Sequence, residues 1–221
     1  MIILDNVSKV YHETVHALRD VSLHVEKGEF CFLLGPSGAG KSTLLKLIFG
    51  LEHPSQGSVY VKNRNVEILE RSQRQALRRH TGFVFQDFRL IDDWTVYSNA
   101  ASILEIQGKS HVAIRSRVWR MLKWVGLQHK VYERAGNLSG GERQRLALVR
   151  AIIGDPDLLL ADEPFGSLDD EMTRYMMNMF FKLHKKGMTI VLASHREDPL
   201  LDYVRVLRLE RGVLISEKDG T

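Results

Sequence analysis

The chain has 221 residues, 44% of them hydrophobic and 26% charged, a composition that buries a full core and excludes both a disordered segment and a disulfide-stapled miniprotein. Its single cysteine, Cys31, cannot close an intrachain disulfide and suits a reducing compartment. The formal charge of +4 is unevenly spread, since residues 60–125 hold 12 Lys/Arg against 6 Asp/Glu, a local +6 that leaves −2 for the remainder; this reads as a solvated surface, with an acidic partner or anionic lipid headgroups as the second reading.

In chain order, Met1-Ile2-Ile3-Leu4-Asp5 has no basic region ahead of its apolar start and does not read as a signal peptide. No stretch approaches the roughly 18–20 apolar residues of a membrane span, so the expectation is a cytosolic chain. Ile2 to Leu4 and Ala17 to Val25 read as strands, with a turn over 26–29. Phe30-Cys31-Phe32-Leu33-Leu34 is a wholly apolar run, the pattern of a strand buried on both faces of a parallel sheet. After a glycine-rich turn, Lys41 to Phe49 has helical spacing and is closed by Gly50, with Pro54 beyond. From Val96 to Asp155 the pattern is mainly helical; Val118, Met121, Leu122 and Val125 form one apolar stripe, with Trp119 and Trp124 as packing residues beside it. Leu158 to Ala161 and Thr189 to Ala193 return to buried-strand character, with a helical pattern over 170–186 between them. Strand, helix, strand at this spacing is a parallel α/β unit, so the whole reads as a parallel α/β core interrupted by a helical insertion.

Gly35-Pro36-Ser37-Gly38-Ala39-Gly40-Lys41-Ser42, followed by Thr43, matches the phosphate-loop pattern in full and stands between a strand and a helix. Glycines let successive N–H groups point inward at phosphate oxygens, and the helix start adds unpaired donors. In such a loop Lys41 reaches the β- and γ-phosphates and the Ser42 hydroxyl meets Mg²⁺. Asp162 and Glu163 end an apolar strand. Asp162 is placed to hold Mg²⁺ opposite Ser42, and Glu163, pointing elsewhere, suits a base that polarises water; an acid pair at this place also serves merely to cap a turn.

Leu138-Ser139-Gly140-Gly141-Glu142-Arg143-Gln144-Arg145 resembles the signature of the ATP-binding cassette (ABC) ATPases. It is a second anion cradle, in which Ser139 and two glycines open a helix. The resemblance covers the whole chain. It implies a P-loop NTPase with a RecA-like parallel sheet, an N-terminal antiparallel β subdomain and an inserted α-helical subdomain. The expected division is one domain over 1–221, with 1–87 and 156–221 as α/β core plus β subdomain and 88–155 as the helical part. It further implies an ATPase working with Mg²⁺ as a head-to-tail homodimer, in which Ser139, Gly140 and Gly141 of one subunit close over ATP held by the other. Tyr11 is similar to the aromatic that stacks on adenine, Gln86 to the glutamine that meets Mg²⁺ and the attacking water, His195 to the switch histidine, and Ser167-Leu168-Asp169 to a loop touching the partner subunit. The other histidines show no metal-ligand spacing.

A finer resemblance, in 85–90 and 95–99, is to the branch of the family that acts in bacterial cell division. It implies a peripheral subunit at the cytoplasmic face of the inner membrane, docked beside Gln86 on the membrane protein FtsX and driving cell-wall hydrolysis across the membrane. Arg196 stands where an aspartate is common in that branch, and Phe165 where threonine is expected. The alternative is a cassette of a lipoprotein-release or macrolide/peptide-export transporter. With one phosphate loop and no long heptad run, a soluble cassette acting on nucleic acid is disfavoured. A non-enzymatic scaffold is disfavoured by Glu163 and His195.

Overall fold

The computed structural model describes residues 1–166, 168–196 and 204–218, and the counts below are of those residues. Two strands open the chain, β1 (Ile2–Tyr11) and β2 (Val15–Val25). They are longer than their apolar cores suggest because β1 pairs antiparallel with β2 on one side and with β4 (Gln56–Val61) on the other. The polar residues of β1 break its alternation, yet Ser22 Oγ accepts the Asn6 N–H at 2.9 Å and Ser8 Oγ accepts that of Asp20 at 2.9 Å. With the two-residue β5 (Arg64–Asn65) these strands form a four-stranded antiparallel sheet in the order β2-β1-β4-β5.

The second sheet has six strands in the order β10-β9-β3-β8-β7-β6. They are β3 (Phe30–Leu34), β6 (Thr81–Val84), β7 (Leu158–Asp162), β8 (Thr189–Ser194), β9 (Arg205–Glu210) and β10 (Val213–Lys218). All neighbours are parallel except β10, which closes the edge antiparallel to β9. Every residue of β3, β7 and β8 is buried, which is why their apolar runs do not alternate. The period of two is still visible in the two core layers. Phe30, Phe32 and Leu34 pack on one face with the helical part, whereas Cys31 and Leu33 pack on the other with α1 (Lys41–Ile48) and the antiparallel sheet.

Between β6 and β7 lie α3 (Val96–Ile106), α4 (His111–Trp124) and α5 (Gly140–Ile152), preceded by α2 (Arg71–Arg79) on the other side of β6. Thr95, Ser110 and Ser139 cap α3, α4 and α5 by accepting the N–H three residues on. Val118, Leu122 and Val125 are buried in one core cluster with strand residues Phe32 and Leu159, and Met121, Trp119 and Trp124 pack at its margin. The helical part therefore shares its core with the sheet. Helix α2 escaped the sequence reading because only Leu77 is buried and six of the remaining eight residues are Arg or Gln, without apolar periodicity; a capping box between Glu70 and Gln73 starts it. The last helix, α6 (Asp170–His184), joins β7 to β8 and begins where Asp169 accepts the Met172 N–H at 2.7 Å. No helix of the described residues is long and apolar enough to cross a membrane.

Candidate active site

The loop after β3 is shaped by close approach. A Cβ at Gly35 would lie 2.1 Å from the Leu209 carbonyl oxygen, and Gly40, at φ 107°, would set one 2.3 Å from that of Ala17, so any side chain at either position displaces backbone. Gly40 is the N-cap of α1, which starts with no side-chain cap and no acid in its first turn. Its first N–H groups are left for an outside acceptor, where the helix end carries partial positive charge.

Lys41 is buried, with 5% of its surface exposed. Its ammonium donates to the carbonyls of Gly35 at 2.7 Å and Pro36 at 3.1 Å and lies 3.2 Å from Glu163 Oε1. Ser42 Oγ donates to Asp162 Oδ1 at 2.9 Å. Burial is the main influence on the Asp162 carboxyl and pushes its pKa above the ordinary aspartate value; the Ser42 hydrogen bond opposes this and the nearby Glu163 charge adds to it. Glu163 stands just past the end of β7 at φ 47°, held by a hydrogen bond from its N–H to the Ala193 carbonyl at 2.9 Å. This left-handed backbone costs about 1–3 kcal/mol in a non-glycine residue. It turns the carboxylate away from Asp162's direction, so that Oε2 meets His195 Nδ1 at 2.9 Å while Oε1 meets Lys41.

Lys41, Ser42, Glu163 and His195 line one cavity of about 510 Å³, together with Gly38, Thr43, Gln86 and Gln144, and Asp162 stands behind Ser42. Ser42, Asp162 and Gln86 are hard oxygen donors of the kind Mg²⁺ takes. Among the described residues no cluster of three His, Cys, Asp or Glu could hold a metal, and Mg²⁺ commonly completes its shell with substrate phosphate and water rather than protein. The donor set fits such an ion.

The structure thus brings together the loop, Asp162, Glu163, Gln86 and His195. It does not bring Tyr11 to the cavity wall: that ring is partly buried at the end of β1 with Lys9 Nζ 4.8 Å from its centroid. The β1–β2 side of the cavity is lined instead by Val15, His16 and Ala17. Ser139, Gly140 and Gly141 are also away from it. They start α5, where the Ser139 N–H donates to Glu142 Oε2 at 2.8 Å and Ser139 and Gly140 are exposed. Gln144 and Phe88 line the cavity without having been singled out from the sequence, although Gln144 lies inside the quoted signature stretch and Phe88 two residues past Gln86. In the 167–169 loop, Leu168 is buried and Asp169 caps α6; Ser167 lies outside the described residues. Phe165 is buried edge-on against Phe180, and Arg196 donates to Asp170 Oδ1 at 3.0 Å.

A parallel sheet whose first core strand feeds a glycine cradle, with an acid pair at the carboxyl end of β7, one strand removed across β8, defines a P-loop NTPase core. Residues 18–166, more than half of the chain, match the family model described as ABC transporter. The chain belongs to the ABC transporter family. It is 42% identical over 221 residues to the cell division ATP-binding protein FtsE of Mycobacterium tuberculosis, covering 99% of this chain and 96% of that one. To the protein of the same name from Escherichia coli K12 it is 44% identical over 195 residues, 88% of each chain. Its fold superimposes with a TM-score of 0.93 on a dimeric ATP-binding cassette in a post-hydrolysis state bound to ADP and Pi, at 33% identity and covering 99% of this chain and 98% of that one.

Proposed function

We propose that this chain is the ATP-hydrolysing subunit of a bacterial cell-division complex, bound peripherally at the cytoplasmic face of the inner membrane and acting as a homodimer on the membrane protein FtsX. The observation that carries the reading is the convergence of Lys41, Ser42, Asp162, Glu163 and His195 on one glycine cradle. It is supported by relatives named cell division ATP-binding protein and by the dimeric cassette with ADP and Pi.

ATP lays its phosphates along 35–43, and Lys41 exchanges the Gly35 and Pro36 carbonyls for β- and γ-phosphate oxygens. Ser42, Asp162 and Gln86 hold Mg²⁺, which when bound neutralises charge on the phosphates. Glu163, released from Lys41 by the phosphates, orients a water and accepts its proton as the water oxygen bonds the γ-phosphorus and the bond to the bridging oxygen breaks, giving ADP and phosphate. His195, already 2.9 Å from Glu163, stabilises the γ-phosphate charge. Ser139, Gly140 and Gly141 of a second copy complete the enclosure, which accounts for an anion cradle exposed on the monomer. Tyr11, whose strand partner Val15 lines the cavity, serves the adenine from beyond the cavity wall. The 1–87 and 156–221 portions act as the core and 88–155 as the part that moves.

The membrane partner docks in the hollow of about 510 Å³ walled by Phe49, Arg78, Phe83, Phe85, Ile103 and Ile106. It lies next to the Gln86 loop, and Ile106 is 66% exposed there. The test is phosphate release by the purified chain, followed by pull-down of the Glu163→Gln variant from membranes with ATP. Release of phosphate with recovery of FtsX is the expected result. Absence of hydrolysis with Mg-ATP overturns the activity, and recovery of a lipoprotein-release or export permease instead of FtsX overturns the assignment of partner.

A further inference from the structure

From Ile106 to Tyr132 the chain holds six Lys or Arg and no Asp or Glu, and α4 starts without an acid in its first turn. Folding gathers part of this stretch with the end of α2 around a hollow of about 640 Å³. Its charged lining is Arg79, His80, Lys109, Arg117 and Arg120 against a single acid, Asp155. Arg117 occupies that acid in an ion pair and also donates from Nε to the Ile153 carbonyl at 3.3 Å, while Gln107 Nε2 donates to the Gly154 carbonyl at 3.3 Å. Arg117 and Gln107 thus serve the carbonyl end of α5. Arg79, Lys109 and Arg120 are left exposed, with no ion pair among the described residues.

Two observations say what this hollow meets. Lys109 stands between two aliphatic residues turned to solvent, Ile106 at 66% and Val112 at 81% exposed. A free anion has no use for them, whereas apolar groups ringed by cations suit the boundary between anionic headgroups and hydrocarbon. The hollow also shares Arg79 and Gly154 with the one assigned above to the membrane partner, so the side of the molecule that meets that partner carries this corner too. It lies at the far end of α5 from Ser139, 13 residues or about 20 Å along the helix, away from where a second copy closes over the nucleotide.

We propose that the corner between α3 and α4 binds anionic phospholipid directly, with headgroup phosphates against Arg79, Lys109 and Arg120 and with Ile106 and Val112 entering the acyl boundary. This rests on the reading that the chain works at a membrane and names the lipid class that this surface takes. Each cation near an anionic surface is worth about fivefold in partition, and the attraction weakens as salt shortens its range.

The test is co-sedimentation of the full chain with vesicles of phosphatidylcholine, with and without phosphatidylglycerol. Binding is expected only with phosphatidylglycerol. Lys109→Gln combined with Arg120→Gln is expected to lower partition about 25-fold, and Val112→Ser about fivefold, with melting temperature and vesicle-free phosphate release unchanged in both. Because Cys31 is buried, Val112→Cys can be labelled selectively with an environment-sensitive dye, whose emission is expected to shift to the blue on the anionic vesicles. Wild-type partition by both variants overturns the proposal, as does an unshifted dye on a chain that sediments. Displacement by inorganic phosphate beyond that by chloride at equal ionic strength would make this a free-anion site, and preference for a polyglutamate peptide over the vesicles would make it a protein-docking face; either overturns the lipid assignment. If the double variant fails to fold, the labelled chain decides. Vesicle binding is measured without FtsX, so its absence beside recovery of FtsX removes only this inference, and its presence without FtsX removes only the partner.

Discussion

Replacing Glu163 by glutamine separates its two tasks, because the change keeps the shape and removes one charge. In the nucleotide-free chain that charge faces Lys41 at 3.2 Å, with 5% of the lysine and 11% of the glutamate side chain exposed. At an effective dielectric of about 20 the gross attraction is about 5 kcal/mol, most of it offset by the desolvation of both ions. Lys41 keeps its two carbonyl acceptors at 2.7 and 3.1 Å, so the net loss of stability is about 1–3 kcal/mol, nearer the cost of a charge-assisted hydrogen bond than of an abandoned buried ion. Mg-ATP reverses the sign. Its phosphates supply the counter-charge Lys41 has lost, and they no longer approach a carboxylate. The melting temperature of Glu163→Gln is therefore expected below wild type without nucleotide, and its gain on saturation with Mg-ATP is expected to exceed that of wild type. Loss of the base lowers turnover by about 10²–10⁴-fold. Differential scanning fluorimetry with and without Mg-ATP, read beside phosphate release, measures both. Equal thermal gains in the two proteins would refute the ion-pair argument, and wild-type turnover would remove Glu163 from the chemistry.

Lys41→Ala deletes the cradle's cation, and calorimetry is expected to show ATP affinity reduced about 10–100-fold, the worth of charge-assisted hydrogen bonds; unchanged affinity contradicts the cradle. Ser139→Ala removes the α5 cap, at about 1 kcal/mol of stability; the variant is expected to bind ADP as wild type does but to lose ATP-driven dimerisation and turnover, and retention of both would leave the signature without a phosphate to meet. Because burial raises the Asp162 pKa, the folded state holds this proton more tightly than the unfolded chain. Acidification toward the ordinary aspartate range therefore favours the nucleotide-free fold at this group, while Mg²⁺, which needs the carboxylate, is displaced. Mg-ATP affinity measured along that acidification is expected to fall at higher pH than for an ordinary aspartate, with metal-free ADP affinity as the control.

The glycine loop, the buried strand before it, the buried strands near 158–161 and 189–193 and the strand-end acids were all legible because each is a local pattern. A loop that curls around phosphate needs glycines at fixed spacing, and a strand buried on both faces needs an unbroken apolar run. Helix α2 and strand β1 were less legible. The first is an exposed helix of Arg and Gln held by its capping box, and the second is a polar-interrupted strand sustained by partners on both edges. Neither displays its support within its own residues.

From the sequence alone came the identity of the chemical groups, namely a lysine and serine after a glycine cradle, an aspartate followed by a glutamate, a distant histidine and a second cradle at Ser139. Tertiary structure decided how they face one another. Only folding gives Glu163 its left-handed backbone and sets its carboxylate between Lys41 and His195. Only folding keeps Ser139 off the wall of the cavity while sinking Gln144, from the same helix, into it. The reason is separation along the chain: Ser42 and Asp162 stand 120 residues apart, and nothing local specifies a hydrogen bond that exists because two parallel strands, registered through the one between them, end at the same edge of a sheet.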